Sequence, residues 1–306
     1  MSTPAVVLPA YAKVNWWLEI LGRRSDDYHE LFTIFETVSL ADTVKLTLET
    51  TPGIRLETEG WPVPCDLTNL AWRAAESLMH RVGYREGLHI RLEKRIPPGA
   101  GLGGGSSDAA AVLSGLNTLL GGVVEDRELA ETAAELGSDV PFFLRGGVAV
   151  GTGRGEKLHP LPRSHYEGEM LIFWPGFSVS TGEAYSWLQV GPWNRHLTGR
   201  DLDTRMRAFQ QLVSDCRWGE LRNDFQSVVF SRYPVLGEIQ HLLLAAGAGG
   251  ALLAGSGSAL FAIGPKPALQ QGADACRSKW GGASFMVTTI RGRVFPVGEG
   301  ALGGDL

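Results

Sequence analysis

Pro97-Pro98-Gly99-Ala100-Gly101-Leu102-Gly103-Gly104-Gly105-Ser106-Ser107-Asp108 sets five glycines and two serines between two regions of clear periodicity. Before it, Leu88, Ile90 and Leu92 alternate with polar residues, the period of a strand. After it, Ala109, Val112, Leu113, Leu116 and Leu120 recur at helical spacing, and Gly121-Gly122 closes the pattern as a C-cap. A strand, a glycine loop and a helix N-terminus in that order bring unpaired N–H groups and the positive end of a helix dipole to one place. That combination suits an anion. Glycine also lets the backbone take φ > 0 and come close to a bulky phosphate. The hydroxyls of Ser106 and Ser107 can meet phosphate oxygen or Mg²⁺, or one of them can simply cap the helix. Capping alone needs no run of glycines, so phosphate binding is the favoured reading.

Two familiar phosphate loops do not fit. No lysine precedes a hydroxyl, so the G-x-x-x-x-G-K-[ST] pattern fails. Gly99-x-Gly101-x-x-Gly104 meets the dinucleotide fingerprint, with Glu125 and Asp126 near the acidic offset, but only Val123-Val124 is available as the required second strand. Asp126 is better read as the N-cap of a helix carrying Leu129, Ala130, Ala133 and Leu136.

At 306 residues the chain calls for two domains sharing a cleft. Its 44% hydrophobic and 20% charged content describe a soluble globular protein, and a net charge of -5 gives no basic stripe for nucleic acid. Cys65, Cys216 and Cys276 are far apart and odd in number, which suits a reducing cytoplasm. Lys13, Asn15 and Glu19 interrupt the apolar N-terminal region, so no signal peptide is expected, and no apolar run approaches the roughly 18 residues of a membrane span.

Along the chain, residues 6–21 read as one or two strands with Lys13 inside them, either a gatekeeper on an edge strand or a functional cation. Gly22 to Asp27 is a charged turn, and residues 31–40 and 43–50 read as separate strands. A helix is expected over 66–79, with Thr68 and Asn69 as candidate caps. Asp139, two residues before Pro141, fits an N-cap. Residues 146–155 read as a strand, and 156–167 as a linker that divides the chain into domains 1–160 and 161–306. Beyond it come a strand at 170–174, a short helix from Thr181, helices near 201–216 and 233–246, a hairpin over 251–263 turning at Gly255-Ser256-Gly257-Ser258, a helix over 267–280 and a strand over 284–290.

Three blocks of this sequence resemble the GHMP small-molecule kinases. They are Ala12-Lys13-Val14-Asn15 followed by Asp26-Asp27-Tyr28-His29-Glu30-Leu31; Pro97 to Ala111 with Gly137-Ser138-Asp139-Val140-Pro141-Phe142-Phe143; and Gly255-Ser256-Gly257-Ser258. The resemblance implies an α+β chain of two domains. The N-terminal one would be ribosomal-S5-like, with a left-handed β-α-β crossover, and the C-terminal one ferredoxin-like. It implies ATP, with Mg²⁺ bridging its phosphates, held by Pro97, Pro98, Gly99, Ala100, Gly101, Leu102, Gly103, Gly104, Gly105, Ser106 and Ser107, with Asn69 nearby. Asp139 would be the catalytic base and Lys13 its cationic partner. The Tyr-His pair after an Ala-Lys-x-Asn block points, within the family, to an acceptor that is a cytidine diphosphate-linked methylerythritol of the non-mevalonate isoprenoid route. Asn15, Tyr28 and His29 would line its pocket, with Thr181 and Tyr185 closing over the cytosine. Read without the resemblance, Tyr28 and His29 are a surface pair after a turn. Asp27 departs from the family's usual glycine, Pro98 from methionine and Ser258 from proline or alanine. Other GHMP kinases acting on mevalonate, homoserine or a sugar, or a silent nucleotide sensor on the same fold, are the rival readings. A serine hydrolase lacks its G-x-S-x-G elbow.

Overall fold

A computed structural model describes residues 4–161, 166–193 and 197–295. The chain begins with two long antiparallel strands, β1 (Ala5–Arg23) and β2 (His29–Glu49), followed by β3 (Gly53–Gly60), α1 (Leu70–Val82) and β4 (Gly87–Lys94). β3 and β4 are parallel neighbours joined through α1, a β-α-β unit. Next come α2 (Gly104–Leu119), α3 (Asp126–Leu136), α4 (Val140–Arg145), β5 (Val148–Thr152) and β6 (Lys157–Leu161). β7 (Met170–Trp174), α5 (Thr181–Ser186), α6 (Gly199–Ser214), β8 (Arg222–Asn223), α7 (Phe225–Arg232), α8 (Pro234–Ala245), β9 (Gly250–Leu253), β10 (Leu260–Ile263), α9 (Lys266–Trp280) and β11 (Ala283–Val287) complete it.

The first sheet runs β3-β4-β2-β1-β8, with β5 on β2 and β6 on β5. The second is antiparallel in the order β11-β7-β10-β9 with α8 and α9 in its two crossovers, the β-α-β-β-α-β arrangement of a ferredoxin-like unit. Strand period places the layers. Leu88, Ile90 and Leu92 of β4 pack with Ala109, Val112 and Leu113 of α2, while Ala12, Val14 and Trp16 of β1 join Met170 and Ile172 of β7 in a core shared by the sheets. Leu171 and Phe173, on the opposite face of β7, meet Leu236 and Ile239 of α8. The fold is therefore α+β, as expected.

Several local expectations change. Residues 31–40 and 43–50 are one strand, because the register skips between the pairs Tyr11–Ala41 and Ala12–Val38, and a bulge at 39–40 carries β2 through the apparent break. β3 has no counterpart among the strands expected from the sequence. α1 starts at Leu70 because Asp66 makes its own turn, accepting from the Thr68 N–H at 2.9 Å, and Asn69 then caps the helix by accepting from Ala71 N–H at 2.9 Å. Asp126 is the first helical residue of α3, with Glu125 at the N-cap. Neither Ser106 nor Ser107 caps α2: Gly103, at φ 74°, holds that position and both serines lie within the helix. Residues 157–161 form β6 on β5; 162–165 lie outside the described residues. Lys13 is no edge gatekeeper. Its strand pairs with β2 at Thr37, its own N–H donates to Leu102 O at 3.0 Å, and it is 4% exposed.

Asp27 adopts φ 65°, which explains why glycine serves well at this turn. Among the described residues the tightest glycine is Gly101, at φ 78°, where an added Cβ would stand 1.9 Å from Ala254 O. Gly121, at φ 86°, faces open space. Gly121→Ala should therefore cost only the left-handed strain of about 1–2 kcal/mol. Gly101→Ala should cost clearly more, because a backbone carbonyl has no room to give. Paired denaturant melts of the two variants check this.

Candidate active site

Loop 97–103 leaves β4, crosses under the second sheet and enters α2. Its carbonyls from Pro98 to Leu102 are all spoken for: Pro98 O accepts from Ser178 Oγ at 2.8 Å, Gly99 O from Val179 N at 3.3 Å, Ala100 O from Ala259 N at 3.1 Å, and Leu102 O from Lys13 N at 3.0 Å. Gly101 O accepts from Lys13 Nζ at 3.0 Å. By contrast, among the described residues no backbone N–H from Gly99 to Ser106 donates to a protein acceptor. Gly99, Gly101 and Gly103 take φ 61°, 78° and 74°, the alternation that turns successive N–H groups toward one side. Buried amides are rarely left unpaired. A cradle of anchored carbonyls and free N–H groups at a helix start is built for an anion with several oxygens.

The cleft in front of this cradle has a volume of about 850 Å³. Every residue from Pro97 to Ser106 lines it; Ser107 is buried and does not. Lys13 and Asn15 face it from β1, one strand period apart and opposite the core-facing Ala12, Val14 and Trp16. The Lys13 ammonium donates to Asn15 Oδ1 at 2.8 Å and lies 3.6 Å from Asp139 Oδ2. Asn15 in turn donates to Thr33 Oγ1 at 2.8 Å, and Thr33 to Trp17 O at 2.8 Å, so the amide is fixed from behind. Burial pulls the Lys13 pKa down, and the charge of Asp139 opposes it. Asp139 sits at the N-cap of α4, but with φ -85° and ψ -17° its side chain makes no capping hydrogen bond. Its carboxylate, 32% exposed, is thereby left to face the cleft, which the capping reading cannot explain.

The far end of the cleft is aromatic. His29, at the start of β2, stacks on Tyr185 of α5 with centroids 4.8 Å apart at 18°, and Tyr185 meets Phe225 edge-on at 4.8 Å. Burial and the charge of Asp139 raise the Tyr185 pKa, so its hydroxyl stays protonated. Tyr28 is 53% exposed, with the Arg154 guanidinium 4.6 Å from its ring centroid. Thr181, at the start of α5, shares a 2.8 Å hydroxyl contact with Ser256, tying the aromatic wall to the 255–258 turn. Asn69 also lines the cleft, but both ends of its amide are engaged: Oδ1 caps α1, and Nδ2 donates to Pro64 O at 2.7 Å. All the site residues expected from sequence except Ser107 thus converge on one cleft. Arg154, Thr33, Phe225, Lys94 and Asp108 also line it without having been expected to, and so does Ser256, which the sequence offered only as part of the 255–258 turn. Arg154 sits in a turn with no pattern of its own, and Phe225 reads as ordinary helix core.

No group of three or more His, Cys, Asp or Glu among the described residues could hold a metal. The donor set, a Ser106 hydroxyl and one carboxylate, fits Mg²⁺ carried in on nucleotide phosphates, which keeps most of its coordination outside the protein. Among the described residues no helix is long and apolar enough to cross a membrane.

Burial first and the Arg23 charge second lower the His29 pKa from 6.5. The folded state therefore resists a proton that the unfolded chain accepts, so stability is present above pH 6.5 and declines as pH falls through the folded value. NMR titration should place His29 below 6.5, with Arg23→Gln recovering only the smaller part of the shift. A value at or above 6.5 would refute the burial account.

The family model for the GHMP kinases N terminal domain matches residues 69–147, and that for GHMP kinases C terminal matches 202–282. Among curated proteins, the 4-diphosphocytidyl-2-C-methyl-D-erythritol kinase of Solibacter usitatus is 45% identical over 84% of this chain and 80% of its own length. That of Moorella thermoacetica is 43% identical over 84% and 90%. A crystal structure of 4-(cytidine 5'-diphospho)-2C-methyl-D-erythritol kinase superposes with a TM-score of 0.75 at 36% identity, covering 93% of this chain and 99% of that one. The homoserine kinase of Cytophaga hutchinsonii, at 21% identity and a TM-score of 0.66, shares the fold. With its free-amide cradle and its lysine–aspartate pair in one cleft, the chain belongs to the GHMP kinase family of ATP-dependent small-molecule kinases.

Proposed function

We infer that the protein transfers the γ-phosphoryl group of ATP to the 2-hydroxyl of 4-diphosphocytidyl-2-C-methyl-D-erythritol, in the non-mevalonate route to isoprenoid precursors. The observation that carries this reading is the placement of Lys13 and Asp139, 3.6 Å apart, between the phosphate cradle and the aromatic wall of a single cleft. The names and identities of the relatives choose the acceptor. The mevalonate and homoserine kinases among the solved structures share the fold at 12–21% identity, which says nothing of substrate.

Phosphoryl transfer asks chiefly for position and charge neutralisation. The free N–H groups of Gly99 to Ser106 and the start of α2 would hold the phosphate oxygens. The Ser106 hydroxyl would be the protein's contribution to holding Mg²⁺, which would supply charge neutralisation at the phosphates when bound. Asp139 would take the hydroxyl proton as the acceptor attacks. Lys13 would hold that carboxylate turned toward the acceptor and offset charge growing on the transferring group, while its link to Gly101 O registers acid and loop against each other. Asn15, fixed through Thr33, would orient the methylerythritol. His29, Tyr185 and Thr181 would form the wall on which the cytosine rests, with Tyr28 offering its exposed face. Asn69 would border the nucleoside, acting through the turn it caps. The division into domains 1–160 and 161–306 belongs to this reading, with the loop held between them. A cytoplasmic setting, free of nucleic-acid or membrane partners, fits its small-molecule chemistry.

The experiment is a coupled ADP-release assay offering CDP-methylerythritol, mevalonate, homoserine and galactose in turn. Turnover on the first alone is expected; equal turnover on any other would overturn the acceptor assignment, and none on all would favour a nucleotide sensor. Asp139→Ala should cost roughly 10²-fold or more in kcat, with ATP affinity changed by no more than a few-fold. Lys13→Met should cost a similar factor. An unchanged kcat in either variant would remove that residue from the mechanism.

A further inference from the structure

Beneath the cradle, with Lys94 and Asp108 reaching the cleft wall, lies a charged cluster that the chemistry above does not use. Asp42 of β2, Lys94 at the end of β4 and Asp108 of α2 are 1%, 5% and 2% exposed. The Lys94 ammonium donates to Asp42 Oδ2 and, at 2.5 Å, to Asp108 Oδ2. Asp42 Oδ1 accepts from the backbone N–H groups of Arg95 and Ile96, at 2.5 and 2.8 Å. Gly104, the first residue of α2, packs directly on this group: a Cβ there would stand 3.0 Å from Ile96 Cγ2 and 3.5 Å from Asp42 Oδ2. The loop's entry (94–96) and its exit (104–108) are thus fastened to the same buried ammonium.

A buried ion pair is poor evidence of added stability, since an apolar replacement of similar volume is often as stable. Two carboxylates on one ammonium are costlier still. Asp108 Oδ1 has no hydrogen-bond partner, and burial pushes the Asp108 carboxyl up to about 7 against the pull of Lys94. What such a cluster supplies, and apolar packing does not, is a fixed distance and direction between the segments it joins.

We propose that Asp42, Lys94 and Asp108 form a clamp that sets the spacing of the two ends of the glycine loop, and that Asp42 and Asp108 are therefore positioning residues for the nucleotide phosphates. The proposal deepens the kinase reading and rests on it. The loop amides can converge on phosphate oxygens only while β4 and α2 keep their separation. A loosened clamp therefore weakens grip on the phosphates while leaving the cleft wall at Val63, Pro64 and Asn69 and the aromatic wall in place.

The test is calorimetric titration of the intact protein with ADP and, separately, with adenosine, for wild type, Asp108→Ala, Asp108→Asn and Asp42→Asn. Asp108→Ala and Asp42→Asn should weaken ADP binding by at least about tenfold, the worth of a lost charged hydrogen bond. Adenosine affinity should stay within about threefold, since adenosine carries no phosphate for the loop amides to hold. Asp108→Asn, whose amide oxygen can still accept from Lys94, should recover part of the loss. Parallel loss of both ligands, an unchanged ADP affinity, or unfolding of the alanine and asparagine variants alike would each reduce the triad to a structural feature and overturn the proposal. If ADP and adenosine separate as expected but wild type phosphorylates no acceptor, the clamp stands and the kinase reading falls.

Discussion

The constraint on which the site depends is the capture of every carbonyl from Pro98 to Leu102 by donors outside the loop. A peptide unit whose oxygen is held has little freedom to rotate, so its N–H is held as well. The donors come from both halves of the chain: Ser178, Val179 and Ala259 on the second-sheet side, Lys13 on β1. The sheets are welded by the core that Ala12, Val14 and Trp16 share with Met170 and Ile172, and the loop is the polar seam of that weld. Glycine at 99, 101 and 103 is what lets the chain alternate conformation along it. At 101 the carbonyl of Ala254 is so near that no other residue fits.

Lys13 binds this seam to the chemistry. Moving an ammonium from water to the interior costs several kcal/mol even after relaxation. The cost is offset here by three oxygens: Asn15 Oδ1, Gly101 O and the Asp139 carboxylate. Each partner lies on a different segment, so the cation works as a junction among β1, the loop and the start of α4. Asp139 can serve that junction because it leaves its own helix uncapped. The negative potential of its carboxylate also reaches Tyr185, where it adds to burial in keeping the phenol protonated. The aromatic wall and the acid therefore sit within one electrostatic neighbourhood.

Much of this was legible in the sequence. The strand, glycine loop and helix around Pro97 to Leu120 were plain because periods of two and of 3.6 residues flank residues that fit neither. The pairing of Lys13 with Asp139 was not, since the residues are far apart in the chain and each has an ordinary reading, gatekeeper or cap; the family resemblance supplied it. Asp42 carries no sign in the sequence, because the bulge at 39–40 makes residues 41–42 look like the gap between two strands. Arg154 and Thr33 gave no local sign, since what marks them is the position of other segments across the cleft. Ser106 and Ser107 read alike in sequence. Helix geometry separates them, turning Ser106 to the cleft and Ser107 to the core.

The most direct measurement is a crystal structure of the ternary complex with a non-hydrolysable ATP analogue and CDP-methylerythritol. The account requires the 2-hydroxyl within hydrogen-bond reach of an Asp139 carboxylate oxygen, about 2.6–3.2 Å, and in line with the γ-phosphorus. It also requires Lys13 still bridging Asp139 and Gly101, with the loop N–H groups on the phosphate oxygens. An acceptor hydroxyl turned away from Asp139, or a triphosphate lying clear of the loop amides, would contradict it.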